Sequence, residues 1–196
     1  PEATQPVQKA ASAHLVSAEE VLAHLEAARA AFTAEEWAKA AEEAAAGLAG
    51  GPEGPELLKI HGIASLRLAK ADEAVVSLDT AAKVDPRDAE VRQALAEAYD
   101  ALGDPESAAP HAGAAAELQA DDAWAYLAHG LLLKEIGQYA EAAKALGQAD
   151  ALMPDDPDIL LAMAETYSLA GEPEACAVNA RAALDAMTVT GSESEP

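Results

Sequence analysis

The feature that most constrains this chain is an internal repeat of 34 residues. Pro86, Ala120 and Pro154 each close a stretch with helical character and lie 34 residues apart, and one further step back reaches Pro52. A period of this length is typical of stacked helical hairpins. The register predicts an N-terminal lead segment, 1–20, then five units, 21–54, 55–88, 89–122, 123–156 and 157–188, and a disordered acidic tail, 189–196.

Small residues recur at fixed positions of these units, counted from the first residue of each. The eighth residues are Ala28, Gly62, Ala96, Gly130 and Ala164. The twentieth residues are Ala40, Ala74, Ala108, Ala142 and Cys176, and the twenty-seventh are Gly47, Ala81, Ala115, Ala149 and Ala183. Small side chains let two helix backbones approach closely. Each unit is therefore predicted to hold two packed helices.

Turn and capping residues support the same register. Glycine-containing turns at 102–105, 136–139 and 170–173 separate the two predicted helices of the last three units. The segments 17–20 and 33–36 have the Ser/Thr-x-x-Glu pattern of a capping box. The Gly- and Pro-rich segment 50–55 predicts a helix-breaking connector.

Composition agrees with helices and argues against strands. Hydrophobic residues make up 51% of the chain but aromatic residues only 4%, so alanine supplies most of the apolar count. Alanine is the strongest helix former. Val, Ile and Thr form no alternating runs, which strands would require. The expected fold class is all-α.

The fourth unit carries the clearest family pattern. Tyr126, Gly130, Ala142, Ala149 and Pro154 match the pattern of the tetratricopeptide repeat, while His129 and Leu146 depart from it. With five phased units, the chain resembles the tetratricopeptide-repeat family over about residues 21–188. The resemblance implies a right-handed superhelical solenoid with the first helices on its concave face, and a non-enzymatic role in protein–protein interaction.

The charge balance excludes some classes of partner. Twelve basic against 35 acidic residues give a net charge of −23. Nucleic acid and anionic membranes require a basic face, so neither is expected. The charge could attract basic partners, and a saline habitat or an acid-rich proteome explains it equally well. No uncharged apolar stretch approaches the length of a membrane span. The cytoplasm is the favoured compartment, with an exported or trimmed form left open because the sequence begins with Pro1.

Patterns of catalytic or metal-binding chemistry are missing from the sequence. It has no phosphate-binding loop, nucleophile elbow or zinc-protease motif. His61 and His129 share a repeat position typical of helix packing, and Asp155 and Asp156 are interpreted as helix caps and not as calcium ligands. Cys176 is interpreted as a buried thiol. We expect no enzyme activity, cofactor or metal site.

Family geometry assigns a set of residues to the concave groove. They are Arg29, Lys59, Ile63, Arg67, Glu90, Gln93, Glu97, Asp100, Trp124, Leu127, Leu131, Lys134, Leu161 and Glu165. Trp124, flanked by Leu127 and Leu131, is the predicted anchor for a partner, or else it packs on the preceding repeat. A carboxylate clamp for chaperone tails is not expected, because Ile63 and Ala94 stand where such a clamp needs polar or basic residues.

These residues predict a groove with a basic end and an acidic middle. Arg29, Lys59 and Arg67 come from the first two units, and the third supplies Glu97 and Asp100. Such a groove suits a basic or amphipathic peptide or helix. The leading hypothesis is a scaffold or adaptor that binds a protein partner in this groove. The alternatives are self-association through the ends or the groove, and a chaperone that holds a client.

Overall fold

The computed structural model describes residues 17–49 and 54–192, and within them every regular element is a helix. This confirms the all-α prediction. The ten helices are α1 Ala18–Thr33, α2 Trp37–Leu48, α3 Pro55–Arg67, α4 Ala71–Val84, α5 Ala89–Ala101, α6 Pro105–Leu118, α7 Ala123–Glu135, α8 Tyr139–Leu152, α9 Pro157–Ala170 and α10 Pro173–Ser192.

The helices stack in chain order, as in a solenoid. The two helices of each unit pack against each other, and the second helix of one unit packs on the first helix of the next. The first helices of neighbouring units also contact one another, closely for α1–α3 and α3–α5, and less for α7–α9. Contacts thus run between neighbours along the chain, as expected for a repeat array.

Aspartates and one serine start many of the helices. Ser17 accepts a hydrogen bond from the Glu20 backbone while the Glu20 carboxylate accepts one from the Ser17 backbone, so the first predicted capping box is confirmed. The N-cap side chains that bond the following backbone N–H groups in α5, α6, α7 and α9 are Asp88, Asp104, Asp122 and Asp156. The interpretation of Asp156 as a cap is confirmed, whereas Asp155 has positive φ and caps no helix.

The second predicted capping box, at 33–36, is wrong. Thr33 is the last residue of α1, and its hydroxyl donates back to the Arg29 carbonyl at 2.9 Å. Glu36 is the N-cap of α2 and makes no side-chain cap bond. Thr33 is still part of α1, and its hydroxyl is directed back along that helix, so it accepts no cap bond from α2.

The turn inside every unit uses the same backbone conformation. The fifteenth residues of the five units all have positive φ, and they are Glu35, Ala69, Gly103, Gly137 and Gly171. In the last three units this residue is glycine, which adopts positive φ without steric cost. The turns predicted at 102–105, 136–139 and 170–173 therefore lie where the helices end.

The core is built from the small residues of the repeat. The alanines at the twentieth position of the first four units are fully buried, and so is Ala28 at the eighth. Where the eighth residue is glycine, a leucine of the partner helix occupies the space: a Cβ added at Gly62 would lie 2.4 Å from Leu78 Cγ, and one at Gly130 would lie 2.7 Å from Leu146 Cγ.

The last helix differs from two predictions. The helix α10 continues to Ser192, past the predicted start of the tail at 189. Cys176 is only half-buried, because no described helix covers the outer side of α10. Val178 and Leu184 on the same helix are 68% and 61% exposed. Most of the lead segment, most of the connector and the last four residues lie outside the described residues.

Trp37 is an aromatic residue at the start of α2. Its ring packs edge-on against Phe32, with the ring centroids 5.4 Å apart. Tyr139 is the first residue of α8, as Trp37 is of α2. The aromatic residue therefore closes the turn between the two helices of the first unit.

Candidate functional site

The first helices α1, α3, α5, α7 and α9 form one face of the solenoid, the first-helix face, and ion pairs connect many of them. Arg29 of α1 pairs with Glu56 of α3 through two hydrogen bonds. Lys134 of α7 pairs with Glu165 of α9, with Nζ and Oε2 2.6 Å apart. In each pair a basic residue of one unit reaches an acidic residue of the next.

Two more pairs join α3 to its neighbour. Lys59 Nζ lies 2.9 Å from Glu90 Oε2 and 3.1 Å from Asp88 Oδ2, and Arg67 Nη1 lies 3.3 Å from Glu97 Oε2. Burial by itself lowers the pKa of Lys59, but its hydrogen bonds to Glu90 and Asp88 outweigh that effect and raise the pKa. The ammonium therefore stays charged at neutral pH.

These ion pairs change the predicted charge pattern of the groove. Arg29, Lys59 and Arg67, expected to form its basic end, are each neutralised by a carboxylate of the next unit. Lys134 is neutralised in the same way. The first-helix face therefore does not present the basic end that the sequence predicted.

A pocket of about 270 Å³ opens where α5 and α7 face each other, and we call it the α5–α7 pocket. Its lining residues are Gln93, Ala96, Glu97, Asp100, Ala112, Ala115, Asp122, Trp124, Ala125, Ala128, Leu131, Leu132 and Glu135. α5 and α7 are the least closely apposed pair of neighbouring first helices, and within the described residues no ion pair joins them. The pocket occupies the space between them.

The pocket combines an apolar floor with an acidic rim. Alanines of α5, α6 and α7 lie at its base, and Trp124 and Leu131 are 52% and 39% exposed at its wall. A large exposed aromatic side chain beside a cavity can bury substantial area against a partner. The wall is thus suited to an apolar contact.

The four carboxylates of the rim are not equivalent. Glu97 already accepts hydrogen bonds from Arg67 and from Gln93 Nε2. Asp122 caps α7 by accepting from two backbone N–H groups. The side-chain carboxylates of Asp100 and Glu135 have no hydrogen-bond or ion-pair partner within the described part of the chain. These two carboxylates can accept hydrogen bonds from a ligand.

The structure divides the predicted groove residues into three groups. Five line the α5–α7 pocket: Gln93, Glu97, Asp100, Trp124 and Leu131. Six more take part in the ion pairs between units: Arg29, Lys59, Arg67, Glu90, Lys134 and Glu165. Ile63 and Leu127 are core residues, 5% and 7% exposed, and Leu161 is exposed on α9 outside the pocket.

Ile63 and Leu127 do not form an exposed wall. Ile63 packs with Leu58 and Leu78, and Leu127 packs with Leu146 and Ile159. Both side chains belong to core clusters that span neighbouring units, so they support the site only through the core. Trp124 is therefore exposed while Leu127, predicted to flank it in the groove, is buried.

Sequence reasoning missed the base of the pocket, which the second helix of the third unit supplies. Ala112 and Ala115 come from α6, and only first helices were assigned to the groove. The signal was present, since Ala115 is one of the small residues at the twenty-seventh position. Small residues there leave room beneath the first helices.

The half-buried histidines have structural contacts. His61 Nδ1 lies 2.7 Å from Ser77 Oγ, and the ring of His111 stacks on Tyr99. Burial lowers the pKa of His61, His111 and His129, so all three are neutral at pH 7. Among residues 17–49 and 54–192 no cluster of His, Cys, Asp and Glu is arranged to hold a metal ion.

Comparison with known proteins points to one family. Residues 134–187 match the family model described as tetratricopeptide repeat. No curated protein matches the sequence significantly.

Two solved structures illustrate the similarity of fold. A crystal structure of MamA superimposes with a TM-score of 0.82 at 18% sequence identity, covering 92% of this chain and 98% of that one. YrrB, described as a tetratricopeptide-repeat protein with an unusual peptide-binding site, superimposes with a TM-score of 0.80 at 18% identity, covering 86% of this chain and 88% of that one. Identities this low show a shared fold.

Proposed function

We propose that this chain, which matches the tetratricopeptide-repeat model over residues 134–187 and shares its fold with MamA and YrrB, is a non-enzymatic scaffold that binds a peptide or helix of a partner protein on its first-helix face. The observation that carries the proposal is the α5–α7 pocket, where the exposed Trp124 and Leu131 stand beside carboxylates. YrrB, which has the same fold, is described as having an unusual peptide-binding site. A basic or amphipathic segment suits the chemistry of the pocket.

Desolvation of a few side chains would stabilise a partner at this pocket. A partner residue that covers Trp124 and Leu131 removes apolar surface from water, and aromatic residues in such places often dominate binding energy. The alanine floor has no long side chains to displace, so an inserted group meets preformed space. We therefore place the main contact at this pocket.

The first experiment is affinity capture from a lysate of the source cell, followed by affinity measurement with each captured protein after purification. The intact chain is compared with Trp124→Ala/Leu131→Ala, and with Val76→Ala, which removes an exposed apolar side chain from α4, a second helix. We expect a purified partner to lose about tenfold or more in affinity for the double variant and to keep its affinity for the control. Equal affinity for all three proteins would refute the first-helix face as the binding surface.

Self-association is a second candidate, favoured by the exposed apolar residues of α10. Leu184 occupies the twenty-eighth position of its unit, where Ala82 and Ala116 are buried between units, yet it is 61% exposed. Light scattering across a concentration series tests the idea by comparing the intact chain with Leu184→Glu. A mass that rises with concentration only for the intact chain supports contact through this end, and a constant monomer mass excludes it.

The predictions about membranes and about the cellular compartment do not depend on this pocket. Among the described residues no helix combines the length and apolarity needed to cross a membrane. The cytoplasm stays a prediction from the sequence, and localisation of a tagged full-length protein in the source cell tests it.

A further inference from the structure

The ion pairs between first helices follow a positional rule that the α5–α7 pair breaks. A basic residue at position 5, 9, 12 or 13 of one unit pairs with a carboxylate at position 2 or 9 of the next in α1–α3, α3–α5 and α7–α9. At α5–α7 the corresponding residues of α5 are Gln93, Glu97, Asp100 and Ala101, and those of α7 are Trp124 and Leu131. None of these positions on α5 holds a basic residue, and the arginine of that helix, Arg92, contacts Pro86 and His111 instead.

The α7–α9 pair shows which residues make the connection that α5–α7 lacks. Lys134, at position 12 of the fourth unit, pairs with Glu165, at position 9 of the fifth. One unit earlier, position 12 is Asp100 and position 9 is Leu131. A carboxylate replaces the cation, and an apolar side chain replaces the carboxylate. The pocket therefore lies between two helices that lack their connecting cation.

The surroundings of the pocket supply no cation either. The sequence contains no Lys or Arg between Arg92 and Lys134, and none of the lining residues is basic. Arg67 reaches Glu97 from the α3 side and Asp122 caps α7, which leaves Asp100 and Glu135 as the rim carboxylates whose oxygens have no partner in the described residues. Several carboxylates close together favour a bound cation.

We propose that the α5–α7 pocket binds an arginine or lysine side chain of the partner segment, which provides the cation missing between α5 and α7. This inference rests on the proposed function and specifies its partner. The cationic head lies beside Asp100 and Glu135, its aliphatic part passes over Leu131, and an apolar neighbour in the partner segment covers Trp124, which is about 16 Å from Glu135 along α7. Arginine binds more tightly than lysine, because a guanidinium bonds carboxylates in a bidentate manner.

The acidic rim and the apolar wall of the pocket together determine which segment fits it. An acidic segment is repelled by the rim, and a purely apolar segment leaves Asp100 and Glu135 facing an uncharged surface. A basic residue next to apolar residues satisfies both parts of the site. The partner is thus a basic segment with apolar residues beside the arginine or lysine.

The first test selects random displayed peptides on the full-length chain and measures the affinity of the enriched ones. We expect each to contain arginine or lysine beside an apolar residue. Replacing that arginine by citrulline, which has nearly the same shape without the charge, should weaken binding about tenfold or more. Affinity should also fall steeply as NaCl is added, because the contact is partly exposed.

The second test uses a variant that builds the missing ion pair into the protein. Asp100→Lys/Leu131→Glu places the residues of the Lys134–Glu165 pair at the same positions one unit earlier, so the fold should tolerate it. The matched control, Ala38→Glu/Glu42→Lys, makes the same change in net charge at exposed sites on α2. We expect the first variant to lose binding of the selected peptides and the control to keep it, with unchanged helical circular dichroism in both.

The outcomes separate this inference from the proposed function. Peptides that lose affinity for Trp124→Ala but contain no basic residue, or that still bind Asp100→Lys/Leu131→Glu, overturn the inference and leave the first-helix face as the binding surface. A failure to select any peptide, or binding that ignores Trp124→Ala, refutes both. Loss of affinity on citrulline replacement and on pocket conversion, with the control unaffected, supports both.

Discussion

At the residue scale, the closest contacts within a unit follow a rule of complementary size. Position 8 on the first helix faces position 24 on the second. The pairs are Ala28–Ala44, Gly62–Leu78, Ala96–Ala112, Gly130–Leu146 and Ala164–Ala180. A leucine occurs opposite each glycine, and an alanine opposite each alanine. A smaller side chain on one helix is thus matched by a larger one on the other, because protein cores are packed to nearly constant density.

We predict that Gly62→Ala destabilises the protein by about 1–3 kcal/mol, because the new Cβ overlaps Leu78 and overpacks the core. Leu78→Ala alone should cost about 2–5 kcal/mol through its cavity. The double variant recreates the Ala–Ala pair of the other units. It should therefore be more stable than the sum of the single changes implies, by at least about 0.5 kcal/mol.

Urea unfolding monitored by circular dichroism measures all three free energies. Gly147→Ala in α8 is the control, since a Cβ there meets nothing within 4 Å, and helix propensity should raise its stability by up to about 1 kcal/mol. If the changes in free energy of unfolding caused by Gly62→Ala and Leu78→Ala simply add in the double variant, the sizes of the two side chains are not coupled.

At the element scale, the helices depend on a turn residue with positive φ, which the sequence shows only in part. Gly103, Gly137 and Gly171 mark the turn in three units, and these turns were predicted. Glu35 and Ala69 adopt the same conformation in the first two units, with φ of 57° and 59°. A residue with a Cβ is strained there, so packing of the flanking helices must hold these turns in place.

Ala69→Gly should therefore raise the free energy of unfolding by about 1 kcal/mol, because it removes left-handed strain at an exposed turn. The reciprocal change Gly103→Ala should lower it by a similar amount, although nothing lies within 4 Å of the added Cβ. Thermal and urea unfolding of both variants measure the effect. If Ala69→Gly lowered stability, the entropy that glycine adds to the unfolded chain would exceed the strain.

Helix caps also show that a local sequence pattern does not by itself determine where a helix begins. Ser17 and Thr33 begin nearly identical motifs, yet only Ser17 caps a helix. Thr33 lies inside α1 because the apolar face of that helix continues to Phe32, which packs on Trp37. Tertiary packing of one more turn outweighs a local cap.

At the scale of the whole molecule, the large negative charge acts against the attractive ion pairs of the first-helix face. The net charge of −23 means that most carboxylates have no basic partner. Repulsion among them destabilises the compact chain. The pairs between units remove only a few of these charges, and the exposed ones among them contribute little.

We expect the melting temperature to rise by about 2–4 °C when NaCl is raised from about 0.01 M to about 0.1 M, because the screening length falls from about 30 Å to about 10 Å. Calorimetry or circular dichroism follows the transition. Lys134→Gln serves as a control, since loss of the pair with Glu165 adds net negative charge and should make the dependence on salt steeper. A melting temperature that falls with salt would show that the attractive pairs dominate.

The fold could be predicted from a single sequence because its five units can be compared with one another. The small residues at positions 8, 20 and 27 recur in all five units at a period of 34 residues, and the Gly turn recurs in three of them. They report helix packing directly, since close approach of two backbones needs small side chains. The helix pairs and their order along the chain followed from these features.

The candidate site depended on contacts between units, which no local pattern contains. Arg29, Lys59 and Arg67 carry positive charge in the sequence, but a carboxylate about thirty residues away neutralises each of them. Ile63 and Leu127 occupy predicted groove positions, yet they are buried between neighbouring units. The α5–α7 pocket exists because two first helices lie apart above small residues of α6. Period and composition specify each helical hairpin, whereas charge neutralisation and cavity shape arise only when neighbouring hairpins are packed together.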